Sequence, residues 1–253
     1  MPTVRFFYCV LFAIAAALPV AAQDEQDELA DTDGPANIIK LNLSALVFKN
    51  ISVQYERKIT NHFSAAINLR YMPYSKNAVL GKIVEQFAGQ ESVDRRSFSL
   101  GASGITPELR WYPGSRGVFN GFYLGAFYSH TNYKTGLPVK YANETKTGFF
   151  SGNITAGTFG LQLGGQWKMG SWGYLDWWAI GPNYGAQKGN LVFTGDLSEV
   201  DMEALDKALG ELKNDLSFKV IDNYQISKQG AAIQTKGPWG GIRAMGFTIG
   251  VWF

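Results

Sequence analysis

Cysteine is almost absent from this 253-residue chain: the single one, Cys9, falls within the first two dozen residues. A disulfide framework and a thiolate metal site are therefore excluded for the rest of the chain. The two histidines, His62 and His130, form no imidazole cluster, so no metal and no cofactor is expected. Charged residues make up only 17%, and a net charge of +2 gives no general case for nucleic acid as a partner. Beyond the opening segment no apolar run reaches the length of a membrane-spanning helix. A chain that crosses a bilayer without such a helix must do so as a closed β-barrel.

Glycine (29 residues) and aromatics (17 Phe, 12 Tyr, 7 Trp) are plentiful. The opening residues 1–22 read as a signal peptide: Arg5, an apolar run from Phe6 to Val20, then small residues. Residues 23–36 follow as an acidic, solvated linker. Period-two alternation then begins, the mark of strands with two unlike faces. Ile39, Leu41, Leu43, Ala45 and Val47 make a first strand, Ile51, Val53 and Tyr55 a second, and Phe63, Ala65, Ile67, Leu69 and Tyr71 a third. Further segments lie at "GITPELRWY", "GFYLGAFYSHTNY" (with aromatics on both faces), "TFGLQLGGQWKM" and "YLDWWAIGP". The chain finishes on "AMGFTIGVWF", where Met245, Phe247, Ile249, Val251 and Phe253 share one face.

These eight segments predict an all-β fold, an eight-stranded antiparallel transmembrane β-barrel over 37–253. Each is about nine to eleven residues long, enough to cross a bilayer when tilted. Connections alternate in length: "ITNH", "PGSRGVFN" and "GSWG" are short, whereas 73–96, 134–147 and 185–240 are long. Short periplasmic turns and long external loops give this pattern, with only "FKN" short on the external side. The last loop carries a helix signal over about 199–216, with Ser198 and Asp201 at its start and Leu205, Leu209, Leu212 and Leu216 at helical spacing. A shorter helix is expected within 76–89.

The polar faces carry Lys40, Glu56, Lys58, Arg70, Glu108, Arg110, Lys168 and Asp176. Inside so narrow a barrel, mixed charges would pair into a compact network that fills the lumen. Tyr55, Phe63, Trp111, Trp167 and Trp177 fall at the short-turn ends of their strands, as an aromatic girdle at a headgroup boundary does. Arg243 continues the parity of Met245 and Phe247, and is expected to face lipid and meet headgroup phosphates.

The terminal strand resembles the C-terminal signature of outer-membrane barrels, which implies recognition by the barrel-assembly machinery. "LNLSALVFKNISVQYERKI", "ITPELRWYP", "GFYLGAFYSH" and "LDWWAIGPNYG" are similar to a family of small outer-membrane barrels of unknown function, of OmpA/OmpX-like architecture in the Gram-negative envelope. That resemblance implies eight strands and an outer-membrane address, and supplies no catalytic residues.

Enzymatic function is not expected. Some small barrels modify lipid A through a His-x-Ser pair, but Ser129-His130-Thr131 puts each hydroxyl on the face opposite His130. A structural or surface-interaction role follows, with lipopolysaccharide and an external partner of the loops as its contacts. A small-solute channel and a lipid A-modifying enzyme are the alternatives.

Overall fold

The computed structural model describes residues 36–77, 81, 97–141, 145–215 and 220–253. The signal peptide 1–22 and all but the last residue of the linker 23–36 lie outside them, as does nearly all of the helix expected within 76–89.

Among the described residues nine strands and two helices follow in the order β1 (Asn37–Asn42), α1 (Leu43–Leu46), β2 (Ile51–Lys58), β3 (Phe63–Lys76), β4 (Ser99–Trp111), β5 (Gly121–Tyr141), β6 (Lys146–Met169), β7 (Gly173–Thr194), α2 (Glu199–Asp215), β8 (Ile221–Ser227) and β9 (Gly230–Trp252). Every pairing is antiparallel. Neighbouring strands pair in sequence from β1 to β7, β7 pairs with β9, and β9 returns to β1, closing a ring through eight strands. β8 lies outside the ring, as a hairpin arm on β9.

The strict alternation of β2, β3 and lower β4 becomes two faces. Ser52, Gln54, Glu56, Ser64, Ala66, Asn68, Thr106, Glu108 and Arg110 are buried, whereas Val53, Ile67, Leu69, Ile105 and Leu109 on the same strands are exposed. Small inward residues make room for large ones. A Cβ at Gly164 would collide with the ring of Tyr123, and one at Gly246 with the indole of Trp178. Inner side chains thus interlock in the way that fills a narrow ring.

Three expectations about strand limits are corrected. The first strand does not run on to Val47: Asn42 ends it, because its Oδ1 accepts from Ala45 N at 3.0 Å and Ser44 Oγ at 2.8 Å, starting the single turn α1. An Asn side chain that satisfies following donors competes directly with a ladder. The segments 134–147 and 185–240 are not mostly loop either. β5 and β6 pair without interruption from Gly121↔Gln166 to Tyr141↔Lys146, and β7 with β9 as far as Thr194↔Gly230. These four strands have 21 to 24 residues against 6 to 14 for β1 to β4. They stand above the ring as an open sheet, whose edge β8 extends.

The helix α2 packs against that sheet through Leu209, which meets Ile221 and Ile233, with Phe150, Leu191 and Leu205 around them. Leu212 and Leu216 lie outside the described side chains. Ser198 caps α2 reciprocally: Asp201 N donates to Ser198 Oγ at 3.2 Å and Ser198 N to Asp201 Oδ2 at 3.0 Å. That is a capping box with aspartate in place of glutamate.

Inward parity changes once on each of two neighbouring strands. On β7 the buried residues are Tyr174, Asp176 and Trp178, then Gly181 and Gln187. On β9 they are Ala231, Ile233 and Thr235, then Gly246, Thr248 and Gly250. The β6–β7 register shifts by one residue between Leu163 and Gly164. The β7–β9 register does not: Trp178 faces Gly246, and Ile180 faces Ala244. The two changes lie side by side and compensate each other, as β-bulges re-aim side chains locally.

Candidate functional site: a sealed charge cluster

At the short-turn end the ring has an apolar floor. The β4–β5 turn folds inward so that Phe119, with φ +73°, packs on Ile38 and Tyr174 beside Val118. The Phe119 and Tyr174 rings meet edge-on, 6.0 Å between centroids.

Directly inward of the strand ladders, Arg110 on β4 uses all five of its N–H groups. Nη1 donates to Glu56 Oε2 at 3.1 Å and Asp176 Oδ2 at 2.7 Å. Nη2 donates to Gln54 Oε1 at 3.0 Å and Glu108 Oε2 at 2.8 Å, and Nε to Glu108 Oε2 at 3.2 Å. The guanidinium also stacks on Tyr123, 4.4 Å from the ring centroid. Lys40 on β1 donates to Glu56, to Asp176 Oδ2 at 2.5 Å and to Gln166 Oε1 at 2.9 Å. Tyr123 donates to Asp176 Oδ1 at 2.9 Å, and the Tyr112 hydroxyl is 3.0 Å from both Glu56 Oε1 and Gln166 Oε1.

Three cations (Lys40, Arg110, Arg243) thus meet three carboxylates (Glu56, Glu108, Asp176). An unpaired charge in such a place would cost several kcal/mol. Pairing, with every N–H of Arg110 and three acceptors around Lys40, offsets that cost, and the charges balance.

Arg243 corrects an expectation. It does not face outward with Met245: Nη1 donates to Glu108 Oε1 at 2.5 Å and Gln162 Oε1 at 3.0 Å, with Trp178 at 4.7 Å and Phe127 at 5.4 Å from the guanidinium carbon. The parity change on β9 falls between Arg243 and Gly246, so counting back by twos from Phe253 puts Arg243 on the wrong face. Of the other residues assigned to the network, Lys40, Glu56, Glu108, Arg110 and Asp176 come together. Arg70 sits apart, donating to Thr131 Oγ1 at 2.7 Å and Tyr133 Oη at 3.0 Å. Lys58 is half-buried and Lys168 exposed, because both belong to the last rungs of their strands at the rim. Lys168 Nζ lies 6.0 Å from the Trp252 ring.

Tyr112, Tyr123, Gln54, Gln162 and Gln166 also belong to the cluster. The glutamines share parity with the charged residues, a usable signal. The tyrosines gave none, since an aromatic is compatible with either face.

The girdle residues all lie on the outer face. Phe63 and Trp111 pair directly across β3 and β4. Trp167 meets Phe122 edge-on at 5.7 Å, Trp177 stacks with Phe247 at 6.3 Å, and the Tyr55 hydroxyl donates to Asn37 Oδ1 at 2.7 Å. Met245, Phe247, Ile249, Val251 and Phe253 are exposed.

Chemically the cluster closes on itself, its charges spent on one another. No group of His, Cys, Asp and Glu able to hold a metal occurs among the described residues. Ser129 points inward, to Thr106 Oγ1 at 3.1 Å and Thr131 Oγ1 at 3.3 Å, while His130 lies on the alternate, outer parity.

No curated protein and no solved structure matches the chain. A family model does, over residues 9–188, a span that includes β1 to β6 and most of β7 and stops before α2, β8 and β9. Since the match covers most of its length, the chain belongs to the family described as "Protein of unknown function (DUF3575)".

Proposed function

We propose that this protein is a transmembrane β-barrel of the Gram-negative outer membrane, a sealed scaffold that anchors an exposed sheet and helix outside the cell. One observation carries the reading: the ring is inverted relative to a water-soluble fold. Lys40, Glu56, Arg110 and Asp176 are 0–1% exposed inside it, while Leu69, Leu109, Leu161, Phe159 and Met245 are 52–70% exposed outside. Soluble monomers rarely leave an apolar surface of that extent open to water. In a bilayer the same surface meets acyl chains, and the ring leaves no sheet edge in the hydrocarbon that lacks a partner strand over its closed part.

The charge cluster and the Phe119 floor give the scaffold its closed lumen, so conduction is not its work. The open sheet, α2 and β8 form the interaction surface toward an external partner. The terminal residues Met245–Phe253 serve as the signal for the barrel-assembly machinery during biogenesis.

Fractionation of expressing cells, followed by protease treatment of intact cells, tests address and orientation together. The expected result is recovery in the outer membrane with cleavage confined to exposed connections, above all 195–229. A soluble periplasmic product would overturn the proposal. In planar bilayers the purified protein is expected to show no stable single-channel steps.

A further inference from the structure

The four long strands β5, β6, β7 and β9 contain only one carboxylate, Asp176, and it is buried in the cluster. Their cations are distributed very differently. Lys134, Lys188 and Lys236 all stand exposed on the outer face, above the apolar band. Lys134 shares parity with Phe122 and Leu124 on β5, Lys188 with Tyr184 on β7, and Lys236 with Ile242 on β9. None of the three has an ion-pair or hydrogen-bonding side-chain partner among the described residues.

Lys188 and Lys236 are directly opposed across β7 and β9. Like charges in that position repel, so the arrangement is unfavourable unless an anion lies between them. The positions around them carry no charge: Lys188 faces Thr155, Lys134 faces Asn153, Asn153 faces Asn190, and Asn190 faces Gln234. These are neutral hydrogen-bonding groups of the kind that accompany a bound phosphate, with the Thr155 hydroxyl donating to Asn132 Oδ1 at 2.7 Å.

Depth supports the same occupant. Lys188 lies four residues beyond Tyr184, about 13 Å along the strand at ~3.3 Å per residue. Tilted by roughly 45°, that is about 9 Å along the membrane normal, close to the ~5–8 Å depth of one interfacial layer. A lysine there can lower its ammonium toward the phosphates while its stem stays against apolar surface.

We infer that Lys134, Lys188 and Lys236, with Asn153, Thr155 and Asn190 between them, form a docking face for the anionic phosphate headgroups of the surrounding leaflet. The inference rests on the membrane reading above, and the experiment separates the two. The full chain is refolded into phosphatidylcholine vesicles, with flotation and tryptophan emission reporting insertion. Spin-labelled phosphatidic acid and spin-labelled phosphatidylcholine then report, by their motionally restricted fractions, the relative association of each lipid with the protein.

Wild type is expected to select phosphatidic acid, with selectivity falling about fivefold for each lysine neutralised and falling with added salt. The series is Lys188→Gln, then Lys188→Gln with Lys236→Gln, then both with Lys134→Gln. Lys168→Gln, at the opposite rim, should retain full selectivity. Insertion without selectivity, or selectivity unchanged in the triple variant, would overturn the docking face and leave the barrel standing. Failure of the wild type to insert would overturn both.

Discussion

Replacing Arg110 with methionine is the sharpest perturbation of the sealed ring. Methionine keeps the apolar stem about as far as the arginine Nε and removes the guanidinium beyond it, so five hydrogen bonds and one charge are lost. Glu56, Glu108 and Asp176 would then face only Lys40 and Arg243, leaving one uncompensated negative charge at positions that are 0–4% exposed. Breaking a buried pair in this way costs about 3–5 kcal/mol. For a chain whose net stability is of the order of 5–15 kcal/mol, that is a large fraction. With a urea m-value near 3 kcal/mol/M, the unfolding midpoint should fall by about 1 to 2 M. The assay is equilibrium urea unfolding from phosphatidylcholine vesicles, followed by tryptophan emission. The double variant Arg110→Met with Asp176→Asn restores charge balance and should recover part of the loss, although it makes a second substitution. A single variant within about 1 kcal/mol of wild type, or a double variant less stable than the single, would refute the reasoning that balance, and not any one contact, holds the cluster.

Three further outcomes follow from the same structure. Phe119→Ala should cost about 3–5 kcal/mol by emptying the floor, whereas Phe119→Gly should cost less than alanine does, because glycine adopts φ +73° without strain; urea unfolding of both variants checks the order. Gly246→Ala drives a methyl group into Trp178 and should lower stability by about 1–3 kcal/mol, and adding Trp178→Leu should make the pair more stable than the sum of the two singles, read by a double-mutant cycle. Hydrogen bonds from Ser198 hold the Asp201 carboxyl below its ordinary value of 3.8; its contribution to α2 is therefore fully present above about 3.8 and lost as pH falls through the lower folded value. Amide exchange across Glu199–Asp215, corrected for intrinsic rates, should accelerate in that acid window, and in Asp201→Ala the acceleration should already be present at neutral pH.

Period-two alternation made the lower ring legible in the sequence. Val53, Ile67 and Leu109 alternate with Gln54, Asn68 and Glu108 without interruption, and every one of them keeps its expected face. The same rule failed wherever the backbone departed from a plain strand. Leu43, Ala45 and Val47 continue the pattern of β1, but a local bond from Asn42 wins over the ladder, and no hydropathy count registers that competition. Arg243 escapes the rule because the inward parity of β9 changes between it and Gly246, and nothing in "GGIRAMG" announces where. The upper halves of β5 to β7 were hidden for another reason: both faces there are mixed, so alternation in hydrophobicity weakens just where the ladders are longest. Five of the charged residues proposed for the network did converge, but their arrangement around Arg110 depends on which strands are neighbours, and that is a property of the closed ring.

The closure itself is uneven. β1 meets β9 over five residue pairs, Ile38↔Trp252 to Asn42↔Thr248, while β5 with β6, and β7 with β9, are joined by twenty-one each. Asn37 and Phe253 lie side by side at the end of that short ladder, linked by Phe253 N to Asn37 O at 3.1 Å. Tension applied between these two residues therefore loads the five rungs one after another, as a zipper is opened, and never all together in shear. Mechanically the ring is a clasp whose two short joints flank β1, since β1 meets β2 over five pairs as well, and it would come apart by peeling its shortest stave.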